Sequence, residues 1–124
     1  MNGEQPKLSR CDGTPEWDFM HVRDMARAYI SLAENLENDD VSGEAFNFGG
    51  GNPISVKDLV ILISKIYSGK EIEPIILMKP RGVFQRTCLD IAKARKLLGW
   101  EPQMTLEEGL RETIAWYKEV WEKM

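Results

Sequence analysis

Arg81 and Arg86 flank a glycine-containing turn in the run Lys79-Pro80-Arg81-Gly82-Val83-Phe84-Gln85-Arg86. Two guanidinium groups on the arms of one turn can fork onto a phosphate through paired N–H donors. A solvated surface pair is the alternative. The glycine triplet Gly49-Gly50-Gly51 is a second candidate, because it precedes a helix start and helix N-terminal amides favour anions. Its continuation, Asn52-Pro53, fits neither GxGxxG nor a P-loop, and Pro53 removes an amide donor. A tight strand-to-helix turn accounts for it as well. His21 is the single histidine, and no serine and acid are placed with it as a triad would need. It reads as a packed or surface residue. No HExxH, paired CxxC or calcium-loop pattern occurs, so neither a metal site nor a catalytic residue is nominated.

The elements that would position these groups follow from periodicity and caps. Residues 1–16 read as an irregular lead-in, and residues 17–124 as one domain. Trp17 to Val22 alternates in the manner of a strand. Met25, Tyr29, Leu32 and Leu36 then recur at helical spacing and predict one apolar helix face. Glu37 to Gly43 is a polar loop, and Ala45 to Phe48 a short strand. Ser55 and Asp58 have capping-box spacing, with Val56, Leu59, Val60, Ile63 and Ile66 as the stripe behind them and Gly69 as the stop. Glu73 to Met78 and Phe84 to Leu89 read as strands about the Lys79–Gly82 turn. Asp90 opens a helix that Gly99 closes. Thr105 and Glu108 form a second capping box, and Leu106, Leu110, Ile114, Tyr117 and Trp121 share a face behind it. Gly109 inside that helix costs about 1 kcal/mol against alanine. The expected fold is mixed α/β, a small mixed sheet with about four helices.

Composition narrows the function classes. The chain has 124 residues, 43% hydrophobic and 29% charged, which suits one modest core. A net charge of −4 leaves no phosphate-neutralising footprint for nucleic acid. No apolar run approaches the roughly 20 residues that span a bilayer. Cys11 and Cys88 are too few for a zinc site or a disulfide framework, which points to a cytoplasmic location with reduced thiols.

Three separated runs resemble the extended short-chain dehydrogenase/reductase superfamily, in its nucleotide-sugar epimerase and dehydratase branch. Asp12-Gly13-Thr14-Pro15-Glu16-Trp17-Asp18-Phe19-Met20-His21-Val22-Arg23-Asp24-Met25-Ala26 is similar to the family's GDGTxxRDFxHVxDxA. Gly43-Glu44-Ala45-Phe46-Asn47-Phe48-Gly49-Gly50-Gly51, with Ile54-Ser55-Val56-Lys57-Asp58-Leu59, resembles GExFNIGxGxxxSVxEL. Asp90 to Pro102, followed by Leu106 to Leu110 and Ile114 to Tyr117, resembles DxSKAxxLLGWxPxxxLEEGLxxTIxWY. The 4,6-dehydratases and the 4-epimerases fit about equally.

The resemblance implies a C-terminal, substrate-side part of such an enzyme, without the complete Rossmann domain. It implies a nucleotide-sugar contact at Asn47, at Arg81 and at Arg86. The family's diphosphate-binding arginine of RDF is replaced here by Trp17, so that contact is lost or becomes stacking. The RPGD turn is also altered, with Arg81 displaced by one position. The family's GxxGxxG and Tyr-x-x-x-Lys occur nowhere in the 124 residues. NAD is therefore the cofactor of the parent family, with no cofactor expected on this chain alone, which should be inactive by itself. A separate Rossmann-domain chain and homo-oligomerisation are the expected partnerships. A stand-alone nucleotide-sugar or anion-binding module, or a self-associating interaction domain, is the alternative.

Overall fold

The structure, a computed structural model, describes residues 4–77 and 84–123. Its order is β1 (Lys7–Leu8), β2 (Glu16–Trp17), α1 (Val22–Glu34), β3 (Ile54–Ser55), α2 (Val56–Ser68), β4 (Ile75–Ile76), β5 (Arg86–Thr87), α3 (Ala92–Leu98) and α4 (Leu106–Glu122). The mixed α/β class and the four helices are as expected. The sheet is split in two: β1 pairs with β4 in parallel, and a mixed sheet runs β3-β2-β5.

Local chemistry sets the helix ends. Ser55 accepts the Asp58 N–H at 3.0 Å, and Gly69 closes α2 at φ 76°. Gly99 closes α3 at φ 60°, conformations that only glycine adopts cheaply. Asp90 accepts the Ala92 N–H at 2.8 Å at the start of α3. Thr105 and Glu108 make the full reciprocal box at α4. His21 caps α1 by accepting the Arg23 N–H at Nδ1, and its ring lies 3.1 Å from where a Cβ on Gly109 would stand. The lone histidine is thus a cap and a packing partner. It also explains the glycine inside α4, since a side chain there would press on the imidazole.

Glu108 carries a pH signature. Its side-chain bond with Thr105, and then the Thr105 backbone N–H, hold its carboxyl below the usual value of 4.5. A depressed folded pKa gives stability that is present above the unfolded value and lost as pH falls through the folded one. The stability gap between the native chain and Glu108→Gln should therefore narrow below about pH 4.5 in urea unfolding. A gap constant across the acid range would contradict this.

Several expectations change. The strand expected over 17–22 is only Glu16–Trp17, because His21 already caps α1 and Val22 is helical. The lead-in is not wholly irregular: Lys7–Leu8 pair with Ile75–Ile76. Ala45 to Phe48 is not a strand among the described residues. Its phenylalanines are apolar because they pack on the core, not because the backbone joins a ladder. Among the described residues, the strands expected over 73–78 and 84–89 shrink to two residues each and enter different sheets.

The core itself is small: Ala28, Ile91, Ala94 and Trp100, with Met20, Phe46, Phe48 and Leu98 against it. Phe48 meets Trp100 edge-on at 4.9 Å. This reverses the reading of α1. The helix turns Asp24 and Ala28 inward, where small residues allow close approach, while Tyr29 (67%) faces out and Leu36 (62%), beyond the helix end, is exposed. On α4, Tyr117 and Trp121 of the expected buried face are likewise exposed. α2 packs against α4, and Lys118 Nζ sits 4.6 Å above the Tyr67 ring.

Candidate functional site

Three segments distant in sequence converge beside the three-stranded sheet. The first is β2 with the loop that follows it, residues 16–19. The second is the chain from Phe46 to Gly50. The third is β5 with the loop that follows, residues 86–90. Cβ atoms built on Gly49 would stand 2.5 Å from Asp18 Oδ2 and 3.4 Å from Leu89 Cβ, so all three touch at Gly49. Asn47 Nδ2 donates to the Asp90 carbonyl at 3.4 Å, tying the second segment to the third.

Register decides how the nominated residues face. β2 and β5 are parallel, with Glu16 opposite Arg86 and Trp17 opposite Thr87. Residues opposite one another share a face, and successive residues alternate. Arg86 therefore shares a face with Glu16, and Trp17 lies on the other. Trp17 is 38% exposed and sits 6.3 Å from the Phe19 ring at 51°. Arg86 is exposed and pairs with Glu16, Nη1 to Oε2 at 3.4 Å. The structure brings together the three segments that carry Trp17, Asn47 and Arg86, with Asn47 reaching Asp90. It does not put Trp17 and Arg86 on one face. Arg81 lies outside the described residues.

Asp18 and Glu16 are the groups that the residue patterns missed. Both carboxylate oxygens of Asp18 are buried and meet no hydrogen-bond donor among the described residues. They lie against Gly49 and Gly50, and a Cβ on Gly50 would overlap the Phe19 carbonyl oxygen. No spacing rule marks a lone aspartate or glutamate. Both stood in the first motif, but only the fold shows what they touch.

The same contacts test the glycine run as a cofactor cradle. The space that a pyrophosphate would need beside Gly49 and Gly50 is filled by a carboxylate and a carbonyl oxygen, both repulsive to phosphate. The run does not fit NAD, and it is not the strand-to-helix turn of the other reading either, since residues 45–48 form no strand and β3 intervenes before α2. Among the described residues no group of three or more His, Cys, Asp or Glu could hold a metal.

Comparison with known proteins fixes the family. The GDP-mannose 4,6-dehydratase family model matches residues 1–113. The chain belongs to the extended short-chain dehydrogenase/reductase family of NAD-dependent nucleotide-sugar epimerases and dehydratases. It is 38% identical over 117 residues to a UDP-glucuronate 4-epimerase of Thermodesulfobacterium geofontis, covering 94% of this chain and 34% of that protein. It is 32% identical over 108 residues to dTDP-glucose 4,6-dehydratase 1 of Escherichia coli, covering 81% of this chain and 28% of that one. Among solved structures, UDP-glucose 4-epimerase of Thermotoga maritima, with UDP-glucose, superposes with a TM-score of 0.81 at 33% identity, over 96% of this chain and 36% of that one. A UDP-glucuronic acid 4-epimerase of Bacillus cereus, in complex with NAD, superposes with a TM-score of 0.75 at 29% identity, over 93% and 35%. The chain thus spans about a third of the length of these relatives.

Proposed function

We propose that this chain is the substrate side of an NAD-dependent nucleotide-sugar 4-epimerase or 4,6-dehydratase, with residues 17–124 acting as one substrate-binding domain. It holds the nucleotide diphosphate, and it is inactive alone. The reading rests on the convergence of residues 16–19, 46–50 and 86–90 at one end of the sheet. Arg86 on the edge strand supplies a guanidinium fork to a diphosphate lying over that edge. Trp17, where the family has arginine, offers an exposed indole for a base or sugar to stack on. Asn47 presents its amide to the nucleotide, and Arg81 adds a second cation.

NAD supplies the hydride acceptor for oxidation at C4 of the sugar when it is bound elsewhere in the enzyme. This chain's own residues bind and orient the substrate, since Tyr-x-x-x-Lys is absent from the sequence. Binding energy of this kind, remote from the reacting carbon, is what a substrate domain contributes to catalysis.

The test is a thermal-shift titration with UDP-glucose, dTDP-glucose and GDP-mannose, alongside a turnover assay with NAD. One of these sugars should raise the melting temperature of the chain, because a ligand that binds only the folded state stabilises it. Arg86→Ala should weaken that binding by roughly tenfold, the worth of one charge-assisted hydrogen bond. No product should form without a cofactor-binding segment. A flat melting temperature at millimolar ligand, or turnover by the chain alone, would overturn the reading.

A second reading has its own observation. Val22, Tyr29 and Ile30 leave an apolar side of α1 exposed, and Trp116 and Trp121 do the same on α4. Such faces suit a homo-oligomer or a separate Rossmann-domain chain. Light scattering distinguishes a dimer from a monomer. The free thiols of Cys11 and Cys88 support the cytoplasm as the compartment.

A further inference from the structure

The parallel register of β2 and β5 sets an acid beside the cation that the proposed function assigns to the diphosphate. Glu16 lies opposite Arg86, and its Oε2 stands 3.4 Å from Arg86 Nη1. The placement is not a chance meeting of two long side chains. The Glu16 backbone N–H donates to the Gln85 carbonyl at 2.8 Å, which fixes the strand and therefore the direction in which Glu16 leaves it. Both side chains are well exposed, at 67% for Arg86 and 42% for Glu16. A ligand can reach the guanidinium, but with a carboxylate already beside Nη1.

We propose that Glu16 competes with the diphosphate for Arg86 and so determines how strongly this chain holds an anionic substrate. The inference rests on the proposed function, since it takes Arg86 as the diphosphate contact. An incoming diphosphate must displace Glu16 from the guanidinium or accept a negative neighbour, and each lowers affinity. Trp17, on the opposite face of the same strand, offers no charge in return. The Arg86 face of the site therefore discriminates against bare phosphate charge.

The test uses inorganic pyrophosphate, which carries the charge without a choice of base, titrated calorimetrically into the 124-residue chain. Four proteins are compared: native, Glu16→Gln, Arg86→Gln and the double variant. Both positions are exposed, so the fold should survive, and thermal melts without ligand check that. Glu16→Gln should tighten pyrophosphate binding roughly three- to tenfold at low ionic strength, through the freed guanidinium and the removed repulsion. The gain should vanish in the Arg86→Gln background, and shrink at high salt. If Arg86→Gln weakens binding while Glu16→Gln leaves it unchanged, the competition is overturned and the proposed function stands. If Glu16→Gln tightens binding equally with and without Arg86, the acid acts by general repulsion and the competition is again overturned. If no variant binds pyrophosphate, the assignment of Arg86 falls, and the inference with it.

Discussion

Asp24→Ala should destabilise the chain by about 2–4 kcal/mol, the cost of leaving two part-buried backbone N–H groups without their acceptor. Asp24 is 1% exposed, yet it carries a charge. It is tolerated because every oxygen is used. Arg27 Nη1 donates to Oδ1, the Gln103 N–H donates to Oδ1 at 3.0 Å, and the Met104 N–H donates to Oδ2 at 3.1 Å. The other end of the Arg27 guanidinium donates to the Glu101 carbonyl at 2.8 Å. One carboxylate thus pins α1 to the turn that connects α3 with α4. Alanine leaves the Gln103 and Met104 N–H groups without their acceptor, while the Arg27 guanidinium, a third exposed, keeps the Glu101 carbonyl. A loss of that size approaches the whole stability of a small domain. Asp24→Asn provides the graded comparison. It keeps an acceptor on one side and should cost about 1–3 kcal/mol, less than alanine does. Urea unfolding followed by circular dichroism measures both. A midpoint for Asp24→Ala within error of the native one would remove the clamp from the account.

Gly50→Ala is the second large effect, and it acts through volume. A Cβ there would overlap the Phe19 carbonyl oxygen and stand 2.9 Å from Asp18 Oδ1. The carbonyl is backbone and cannot turn aside, and the Asp18 oxygens are themselves buried. Overpacking of this kind costs about 1–3 kcal/mol and sometimes more. Gly51→Ala is the matched control. It has open space around its Cβ but sits at φ 77°, so it should cost about 1–2 kcal/mol from backbone strain alone. Gly50→Ala should also weaken ligand binding, because it shifts the loop after Trp17, whereas Gly51→Ala should not. Melting temperatures and ligand titrations of the two variants decide the order. A Gly50→Ala variant whose melting temperature and ligand affinity both match the native chain within error would mean that the close packing of residues 18–19 on residues 49–50 is incorrect.

The sequence was most informative where structure is local. Ser55, Thr105, Gly69 and Gly99 act on their own helix ends, so a few neighbouring residues determine what they do. Strands were harder. Ala45 to Phe48 and Glu16–Trp17 are both short and apolar in part, and only a partner across the sheet makes one a strand and the other not. The apolar residues of α1 misled for a related reason. Periodicity shows that a face exists, but not which neighbours cover it. The inward side of that helix is held by Asp24 and Ala28, one charged and one small.

The candidate site divides the same way. Trp17, Asn47 and Arg86 were nominated by motif, and the fold brings the segments that carry them together. Their relative facing depends on register, which residue spacing does not carry. Glu16 and Asp18 flank Trp17 in the same motif, and their roles emerge only from contacts made across tens of residues.

The central claim is that residues 16–19, 46–50 and 86–90 together form a nucleotide-sugar site. An amide chemical-shift titration of the 124-residue chain tests it most directly, using whichever nucleotide sugar raises its melting temperature. The account expects saturable shifts confined largely to those three segments, with the Trp17 indole N–H among them, and a loss of those shifts in Arg86→Ala. Saturable shifts centred elsewhere, or no shift in these segments at saturating ligand, would contradict it.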